Sequence, residues 1–557
     1  MKRRIAVIDY ELCKPDKCGN YLCIRVCPKV RSGEECIVVN EKTKKPIIDE
    51  NICIGCGICV KKCPFKAITI VNLPEQLKED PVHRYGVNDF ALFRLPFPVE
   101  DKVVGLLGPN GVGKTTALLI LSGKIKPNLG RVGEEVEFKD FIKLFRGTEL
   151  QSYLEKLENG EVKVSLKPQR VDRIPDHAKG KVSKLLEKVD ERGIMVDLVE
   201  RLGISHTLDR DISTLSGGEL QRVAIVATLC KDADIYYFDE PSSFLDVFQR
   251  LKTAKVIREF TQGKSVMVVD HDLAMMDFLA DRIHVFYGVP GVYGIVSKPY
   301  GVRVGINIFL DGYIKEDNVR IRPEPIRFES FLAKRFEGKE VLVSFNNIQK
   351  TLGNFSLTVE SGEIYAKEVL GVMGANALGK TTFARILAKQ IEPDAGKVEG
   401  DVKISYKPQY PKLEYDGIVE EFLNEKCESF GTTEFSTNIA KPLQLEKLME
   451  KRITTLSGGE FQRVMIANCL GQEADLYILD EPSAYLDVEQ RLSLAKVIRK
   501  FVEVKEVSAF VIDHDILFLS QISSRGMVFV GVPGKKGKGE KPTDVQTAMN
   551  RFLKEVD

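Results

Sequence analysis

One ordered series of short segments occurs twice in these 557 residues, at matching intervals, and that duplication constrains the fold more than any other feature. Gly108-Pro-Asn-Gly-Val-Gly-Lys-Thr115 has a counterpart in Gly374-Ala-Asn-Ala-Leu-Gly-Lys-Thr381. Gln169 precedes Ser216 by 47 residues, and Gln409 precedes Ser457 by 48. Ser216 to Asp239 and Ser457 to Asp480 are each 23 residues. His271 to Gly288 and His514 to Gly531 are each 17, and both glycines open Gly-Val-Pro-Gly. Phe309 and Phe552 follow 21 residues later in each copy, so the repeat extends past the last motif. The chain therefore needs two folded units of one architecture. Its length allows about three or four domains, which leaves room for a further one at the N-terminus.

One interval breaks the match. Lys114 to Gln169 is 55 residues, whereas Lys380 to Gln409 is 29, so the first copy carries 26 extra. Phe138, Phe141, Ile142 and Phe145 fall at helical spacing, as do Leu150, Tyr153, Leu154 and Leu157. Gly147 separates the two runs, and Thr148-Glu-Leu-Gln151 predicts a capping box on the second helix. A helix–loop–helix present in one copy alone is read as a contact element rather than as packing.

Each glycine-rich segment follows an apolar strand, Val103–Leu107 or Val369–Met373, and enters a helix. That is the context of a P-loop, whose backbone N–H groups cradle phosphate. The spacing predicts phosphate contacts from Gly108, Asn110, Gly111, Gly113, Lys114, Thr115 and Thr116, and from Gly374, Asn376, Gly379, Lys380, Thr381 and Thr382. Ala375 and Ala377 replace Pro109 and Gly111 in the second loop, and alanine resists positive φ, so unequal turnover is expected. The rest of the series is Leu215-Ser-Gly-Gly-Glu219 with Leu456-Ser-Gly-Gly-Glu460, Asp239-Glu240 with Asp480-Glu481, and His271 with His514.

This series resembles the ABC-type ATPases in both halves. The resemblance implies Mg²⁺ held by Thr115, Gln169 and Asp239, and by Thr381, Gln409 and Asp480. It implies Glu240 and Glu481 as polarisers of the attacking water, with His271 and His514 sensing the γ-phosphate. It also implies composite sites: Ser457, Gly458 and Gly459 complete the first, and Ser216, Gly217 and Gly218 the second. Tyr85 and Phe90 are candidates for stacking on adenine, with Phe355 aligned to Phe90; core packing is the competing reading for each phenylalanine and for Tyr85.

Ahead of the repeat lies Cys53-x2-Cys56-x2-Cys59-x3-Cys63-Pro64, the bacterial ferredoxin spacing for a [4Fe–4S] cluster. A second run, Cys13-x4-Cys18-x4-Cys23-x3-Cys27-Pro28, precedes it with a longer loop. In two-cluster ferredoxins the fourth cysteine of each run serves the other cluster. On that rule Cys13, Cys18, Cys23 and Cys63 hold one cluster, and Cys53, Cys56, Cys59 and Cys27 the other. The proline after each fourth cysteine is expected to end pairing and turn the chain. Cys36 is read as a packed thiol, and Cys230, Cys427 and Cys469 as core.

Net charge is +1, yet residues 1–72 hold 14 Lys/Arg against 8 Asp/Glu. The clumps Lys2-Arg3-Arg4, Lys42/Lys44/Lys45 and Lys61-Lys62 fit a phosphate-rich partner or a solvated face. Lys535, Lys536, Lys538 and Lys541 are read as a solvated loop or a phosphate contact. Eight cysteines in ferredoxin spacing favour a reducing compartment. The apolar stretch after the basic N-terminus stops at Asp9, and no run reaches a membrane span, so a cytoplasmic protein without a membrane partner is expected.

The order of parts resembles the ABC-E family, the ribosome recycling factors also called RNase L inhibitor homologues. His83-Arg-Tyr-Gly86 and Leu456–Arg463 fit that likeness, and the compact style suggests an archaeal member. The expected fold is α/β: a ferredoxin-like two-cluster domain (1–75), an ATPase domain (76–290, insert near 137–160), a hinge (291–340), a second ATPase domain (341–530) and a C-terminal hinge segment (531–557). The resemblance implies ATP-driven splitting of ribosomes after termination or stalling. Its partners would be the small subunit with its rRNA and a release-factor-like protein in the A site. The chain would act as a monomer with intramolecular ATPase pairing. The alternative is a redox-regulated soluble ABC ATPase in iron–sulfur or nucleic-acid metabolism, which cluster potential coupled to turnover would reveal.

Overall fold

The computed structural model describes residues 4–74, 77, 79–322, 324–327, 340–409 and 415–556. Lys2, Arg3 and hinge residues 328–339 lie outside them. The chain divides into two compact units, Met1–Phe244 with Gln249–Ile326 and Leu245–Phe248 with Arg327–Asp557. Among the described residues no helix is long and apolar enough to cross a membrane.

The first unit begins with a cysteine-rich layer. Strand Arg4–Ile8 pairs antiparallel with Ile68–Asn72, which stitches the two ends of that segment together. Ile37–Val39 and Pro46–Ile48 form a hairpin. The helices Leu22–Val26, Pro28–Arg31 and Ile58–Lys62 are one turn or little more. Pro28 starts a helix rather than merely turning the chain: at N1 its fixed φ suits the helix and its missing N–H is not needed. The core of this layer combines Ala6, Ile8, Ile37 and Ile48 with buried thiols.

The rest of the first unit is built on an eight-stranded sheet. Its parallel centre runs Arg282–Val289, Val103–Leu107, Ser265–Val269, Ile235–Asp239, Val164–Lys167. Val103–Leu107 and Ile235–Asp239 are buried at every position, as strands with helices on both faces must be. The register sets Val266 beside Val103 and Ser265 beside Ile235, which brings the ends of the P-loop strand and the Asp239 strand to one edge. The second unit repeats this centre with Val369–Gly374, Ser508–Ile512, Leu476–Asp480 and Ile404–Lys407.

Four expectations need correction. The segment read as a hinge from residue 291 starts inside the first sheet: Tyr293–Gly301 pairs with Arg282–Val289 and Ala91–Phe93. Helix Val302–Asp311 then follows, ended by Gly312 in the left-handed conformation. The basic run near residue 536 is not a loop. Lys536–Gly539 is a strand between Phe355–Val359 and Arg525–Val532, and Lys538 pairs with Glu360 at 2.6 Å.

The remaining corrections concern the insert. Both helices form, Phe138–Lys143 and Glu149–Glu158. The capping box does not: the Thr148 hydroxyl donates to the Phe145 carbonyl at 2.6 Å, and Gln151 accepts from the Gly147 N–H at 2.8 Å. The closing turn of the first helix thus claims the hydroxyl the second would use. Nor is the insert simply an outward contact element. Phe141, Ile142, Leu150 and Leu154 are buried in the hydrophobic core of the first ATPase unit. Lys143, Arg146 and Lys156 stay exposed on the outer face.

Candidate nucleotide and cluster sites

The two P-loops follow from sterics. A Cβ on Gly108 would sit 2.6 Å from the Phe286 carbonyl oxygen. Gly113 has φ +91°, and a Cβ there would reach Phe90 at 2.8 Å. Helices Lys114–Leu121 and Lys380–Leu387 start at once, so their free N–H groups face the loop. The buried Lys114 Nζ donates to the Gly108 and Pro109 carbonyls at 2.8 and 2.7 Å, and Lys380 Nζ to those of Gly374 and Ala375 at 2.8 and 2.6 Å. Ala377 adopts φ +59° where Gly111 has +75°, so the second loop takes the same shape at a residue that resists it.

Phe90 is not free to stack on a base. It is 9% exposed, and its ring fills the space under Gly113; Phe355 does the same under Gly379. These rings pack because a glycine leaves room for them. Tyr85 is half exposed, and its hydroxyl lies 3.1 Å from Thr116 Oγ1, one residue beyond Thr115. His83 meets the Tyr85 ring edge-on at 5.0 Å.

Asp239 is 2% exposed, and among the described residues its Oδ1 and both Asp480 carboxylate oxygens lack a well-formed hydrogen bond. Burial raises both carboxyl groups and the adjacent Glu240 or Glu481 adds to it, with Thr115 and Thr381 hydroxyls opposing; Asp480 reaches about 6. Buried, underused carboxylate oxygens beside a threonine hydroxyl are the donor set of a hard cation, so these residues fit Mg²⁺. Glu240 and Glu481 behave oppositely. Burial pushes them up, but the histidine, the P-loop lysine and the glutamine outweigh it and hold both near about 2. Gln169 and Gln409 each donate Nε2 to the glutamate at 2.6 Å. His514 Nε2 is 3.1 Å from Glu481 Oε1, and His271 Nε2 is 3.5 Å from Glu240 Oε1. In each half the structure brings together the aspartate, glutamate, glutamine, histidine and P-loop lysine named by sequence. Ser216 and Ser457 each cap a 13-residue helix through a true capping box with Glu219 or Glu460.

Sequence reasoning missed the residues that hold the glutamate. Glu240 and Glu481 have φ +50° and +48°, strained for a residue with a Cβ. Lys167, fully buried, donates to the Asp239 and Glu240 carbonyls at 2.8 and 3.1 Å; Lys407 repeats this at 2.8 and 3.4 Å. Gln221 and Gln462 donate to the same glutamate carbonyls at 2.6 and 2.7 Å. The signal was available: Lys-Pro-Gln occurs at 167–169 and again at 407–409. Asn88 was missed too. Its side chain is buried and donates to the Ala6 and Ile48 carbonyls at 3.1 and 3.0 Å, while accepting from Ile48 N–H at 2.7 Å. With the Arg84–Glu50 ion pair it ties the loop bearing Tyr85 to the cysteine layer.

In that layer Cys13, Cys18, Cys23 and Cys63 line one cavity, walled by Leu22, Pro64, Phe65 and Ile68. The first run supplies three thiols and the second run the fourth. Four thiols around a space with apolar walls suit an iron–sulfur cube. Cys27, Cys53 and Cys59 are buried, and Cys56 is exposed at the loop tip. Cys36 is buried between them: burial raises its thiol, and contacts with Cys27 and Cys53 raise it further. Lysine charge also gathers here, with Lys14 over the Phe65 ring at 5.3 Å and Lys45 Nζ on the Cys13 carbonyl.

Comparison with known proteins identifies the families of these domains. Residues 99–243 and 353–484 match the family described as ABC transporter. Residues 3–35 match a possible Fer4-like domain in RNase L inhibitor, and residues 46–69 match a 4Fe-4S binding domain. An uncharacterized ABC transporter ATP-binding protein of Methanocaldococcus jannaschii is 53% identical across 99% of this chain and 92% of its own length. A ribosome-bound archaeal ABCE1, solved with Pelota, is 53% identical and superimposes with TM-score 0.95 over 100% of this chain and 94% of that one. An archaeal ribosome recycling factor, aABCE1, in complex with the stalk protein aP1, is 50% identical with TM-score 0.79 over 86% of this chain and 93% of that one.

Proposed function

We propose that this chain, which belongs to the ABC-E family of RNase L inhibitor homologues, is the ATPase that splits ribosomes into subunits and remains on the small one. The observation that carries the reading is the complete hydrolytic set in both halves, joined through Asn88 and Arg84 to a cysteine layer that transport ATPases do not need. The relatives supply the partners: the ribosome, a Pelota-like protein standing where a release factor would, and the stalk. The cytoplasm, where ribosomes are, is the workplace.

In the reading offered here, Thr115 and Asp239, and Thr381 and Asp480, hold Mg²⁺, which when bound neutralises charge developing on the phosphates. Gln169 and Gln409 tie metal side to glutamate side. Glu240 and Glu481 stay ionised because their neighbours hold them near about 2, so each accepts a hydrogen bond from water throughout the neutral range. His271 and His514 place a ring nitrogen beside that carboxylate and toward the γ-phosphate. Tyr85 is the aromatic left for adenine in the first half. Two [4Fe–4S] clusters, one on Cys13, Cys18, Cys23 and Cys63 and the other on Cys27, Cys53, Cys56 and Cys59, hold the N-terminal layer in shape. The domain limits from sequence stand as a proposal, with the hinge moved past Asp311.

Sucrose-gradient co-sedimentation with ribosomal particles tests the function. The protein should sediment with small subunits in a non-hydrolysable ATP analogue and less so in ADP. Equal absence from every ribosomal fraction overturns the reading.

A further inference from the structure

The helix–loop–helix and the first ATP site meet at one pair of hydroxyls. Tyr153, on the second insert helix, donates to the carbonyl of Leu121 at 2.6 Å and lies 2.7 Å from the hydroxyl of Tyr237. Leu121 is the last residue of the helix that Lys114 begins. Tyr237 stands two positions before Asp239 on the same strand, so both side chains leave the same face. The insert therefore touches the far end of the helix that presents Lys114 and Thr115 and the middle of the strand that presents Asp239.

The repeat makes the contact specific. Tyr237 aligns with Ile478, and the second half has neither insert nor hydroxyl there. Tyr237 is fully buried, and a buried hydroxyl without a partner is costly. The Tyr237 hydroxyl also lies 3.3 Å from the Leu121 carbonyl, so the insert supplies the shorter of its two contacts; isoleucine, equally buried, stands where there is no insert.

We propose that the Tyr153–Tyr237 pair is a positioning contact through which load on the insert's outer face is transmitted to the first ATP site. This rests on the reading above, that the chain works on ribosomal small subunits. A small subunit bound to the exposed face bearing Arg146 and Lys156 would tilt the second insert helix. The hydroxyls carry that tilt to the Leu121 end of the P-loop helix and to the Asp239 strand. Coupling of this kind is a free energy shared between two sites, so it acts in both directions.

The test compares parent, Tyr153→Phe and Tyr153→Phe/Tyr237→Phe, each with clusters loaded. ATP turnover is measured alone and at saturating purified small subunits, and small-subunit affinity is measured in a non-hydrolysable ATP analogue and in ADP. In Tyr153→Phe, turnover without subunits should stay within about twofold, while the subunit-dependent change in turnover should shrink about fivefold or more. The nucleotide dependence of subunit affinity should shrink with it, and the double variant should go no further, since one contact is lost once. A merely structural tyrosine would lower the melting temperature and leave both coupling readouts at the parent values; that result overturns the proposal. A parent whose turnover ignores small subunits and which fails to bind them removes the functional reading itself, and the proposal with it.

Discussion

Replacing Lys407 by methionine should slow the second ATP site without unfolding it. The ammonium is 1% exposed and donates to the Asp480 and Glu481 carbonyls at 2.8 and 3.4 Å. Burial pushes Lys407 down from 10.5 to about 8, with Asp480, Glu481 and Asp513 pulling the other way. Because the folded value lies below the unfolded one, the unfolded chain binds more protons between pH 8 and 10.5. Stability should therefore rise with pH through that window, and at neutral pH the buried charge costs about 3 kcal/mol. Methionine removes that cost and also removes charge-assisted hydrogen bonds worth about 1.5–3 kcal/mol, so the net change in stability is small. Catalysis has no such compensation. Glu481 at φ +48° carries strain of about 1–3 kcal/mol, and Gln462 would be the one side chain left donating to its carbonyl. If that energy appears in the barrier, turnover falls about ten- to hundredfold. The measurement is steady-state ATPase in a Glu240→Gln background, with nucleotide affinity and melting temperature followed across the alkaline range. Full turnover in a folded variant would show that Lys407 does not hold Glu481, and an unchanged alkaline slope would show that its charge is not buried as argued.

Glu240→Gln with Glu481→Gln should bind ATP, lose turnover by about 10²–10⁴-fold and accumulate on small subunits; normal turnover would dismiss both as the polarising base. Anaerobically prepared protein should carry about eight irons, Cys36→Ser should keep them and Cys56→Ser should lose about four, whereas a colourless zinc-loaded protein would end the cluster assignment. His284 is lowered by burial to about 4 from 6.5, the Ser297 carbonyl opposing, so its neutral form is required for folding. Stability intact above pH 6.5 should fall toward pH 4 by up to about 3 kcal/mol from this group, and His284→Gln should melt with a visibly flatter acid limb.

How far the chemistry was readable depended on whether a residue acts through its side chain at a motif position. Glu240, Gln169, His271 and Asp239 are named by motif identity and spacing, and the structure hydrogen-bonds Gln169 to Glu240 and sets His271 3.5 Å from it. Lys167 escaped because a lysine beside Pro-Gln reads as surface until the sheet register sets it beside Phe238, with its Nζ on the Asp239 carbonyl. Asn88 escaped because its work is done on backbone carbonyls 40 and 82 residues away, which no local pattern records. For Phe90 two readings stood side by side, stacking on adenine and core packing, and the structure shows the ring packed. An aromatic before a P-loop suggests stacking, yet Gly113 opens a space beneath the loop and the ring is drawn into it. The insert's periodicity revealed its helices but not its direction, since an apolar stripe says that a face is buried and not what buries it. The capping box expected at Thr148 failed through local competition, whereas boxes that were not expected form at Ser216 and Ser457.

The two halves allow one further step. Their catalytic contacts agree closely: 2.6 Å for each glutamine–glutamate pair and 2.8 Å for each buried lysine on its aspartate carbonyl. The histidine contact differs, 3.5 Å from His271 to Glu240 against 3.1 Å from His514 to Glu481. Other differences lie around these groups. Ala377 holds a left-handed conformation that costs an alanine about 1 kcal/mol and a glycine almost nothing, so strain is stored in the second phosphate loop alone. The insert, Tyr153 and Tyr237 load the first P-loop helix alone. Within its own unit the cysteine layer reaches the loop that carries Tyr85, through Asn88. These differences act on phosphate, base or P-loop helix, and one more acts on the glutamate, since Ser243 Oγ donates to Glu240 at 3.1 Å where the second half has Ala484. Duplication kept the chemistry common to both sites, and the surroundings decide when each may use it. A protein that must bind ATP, engage a ribosome and release it in sequence needs that separation, because two identical and equally loaded sites would fire without order.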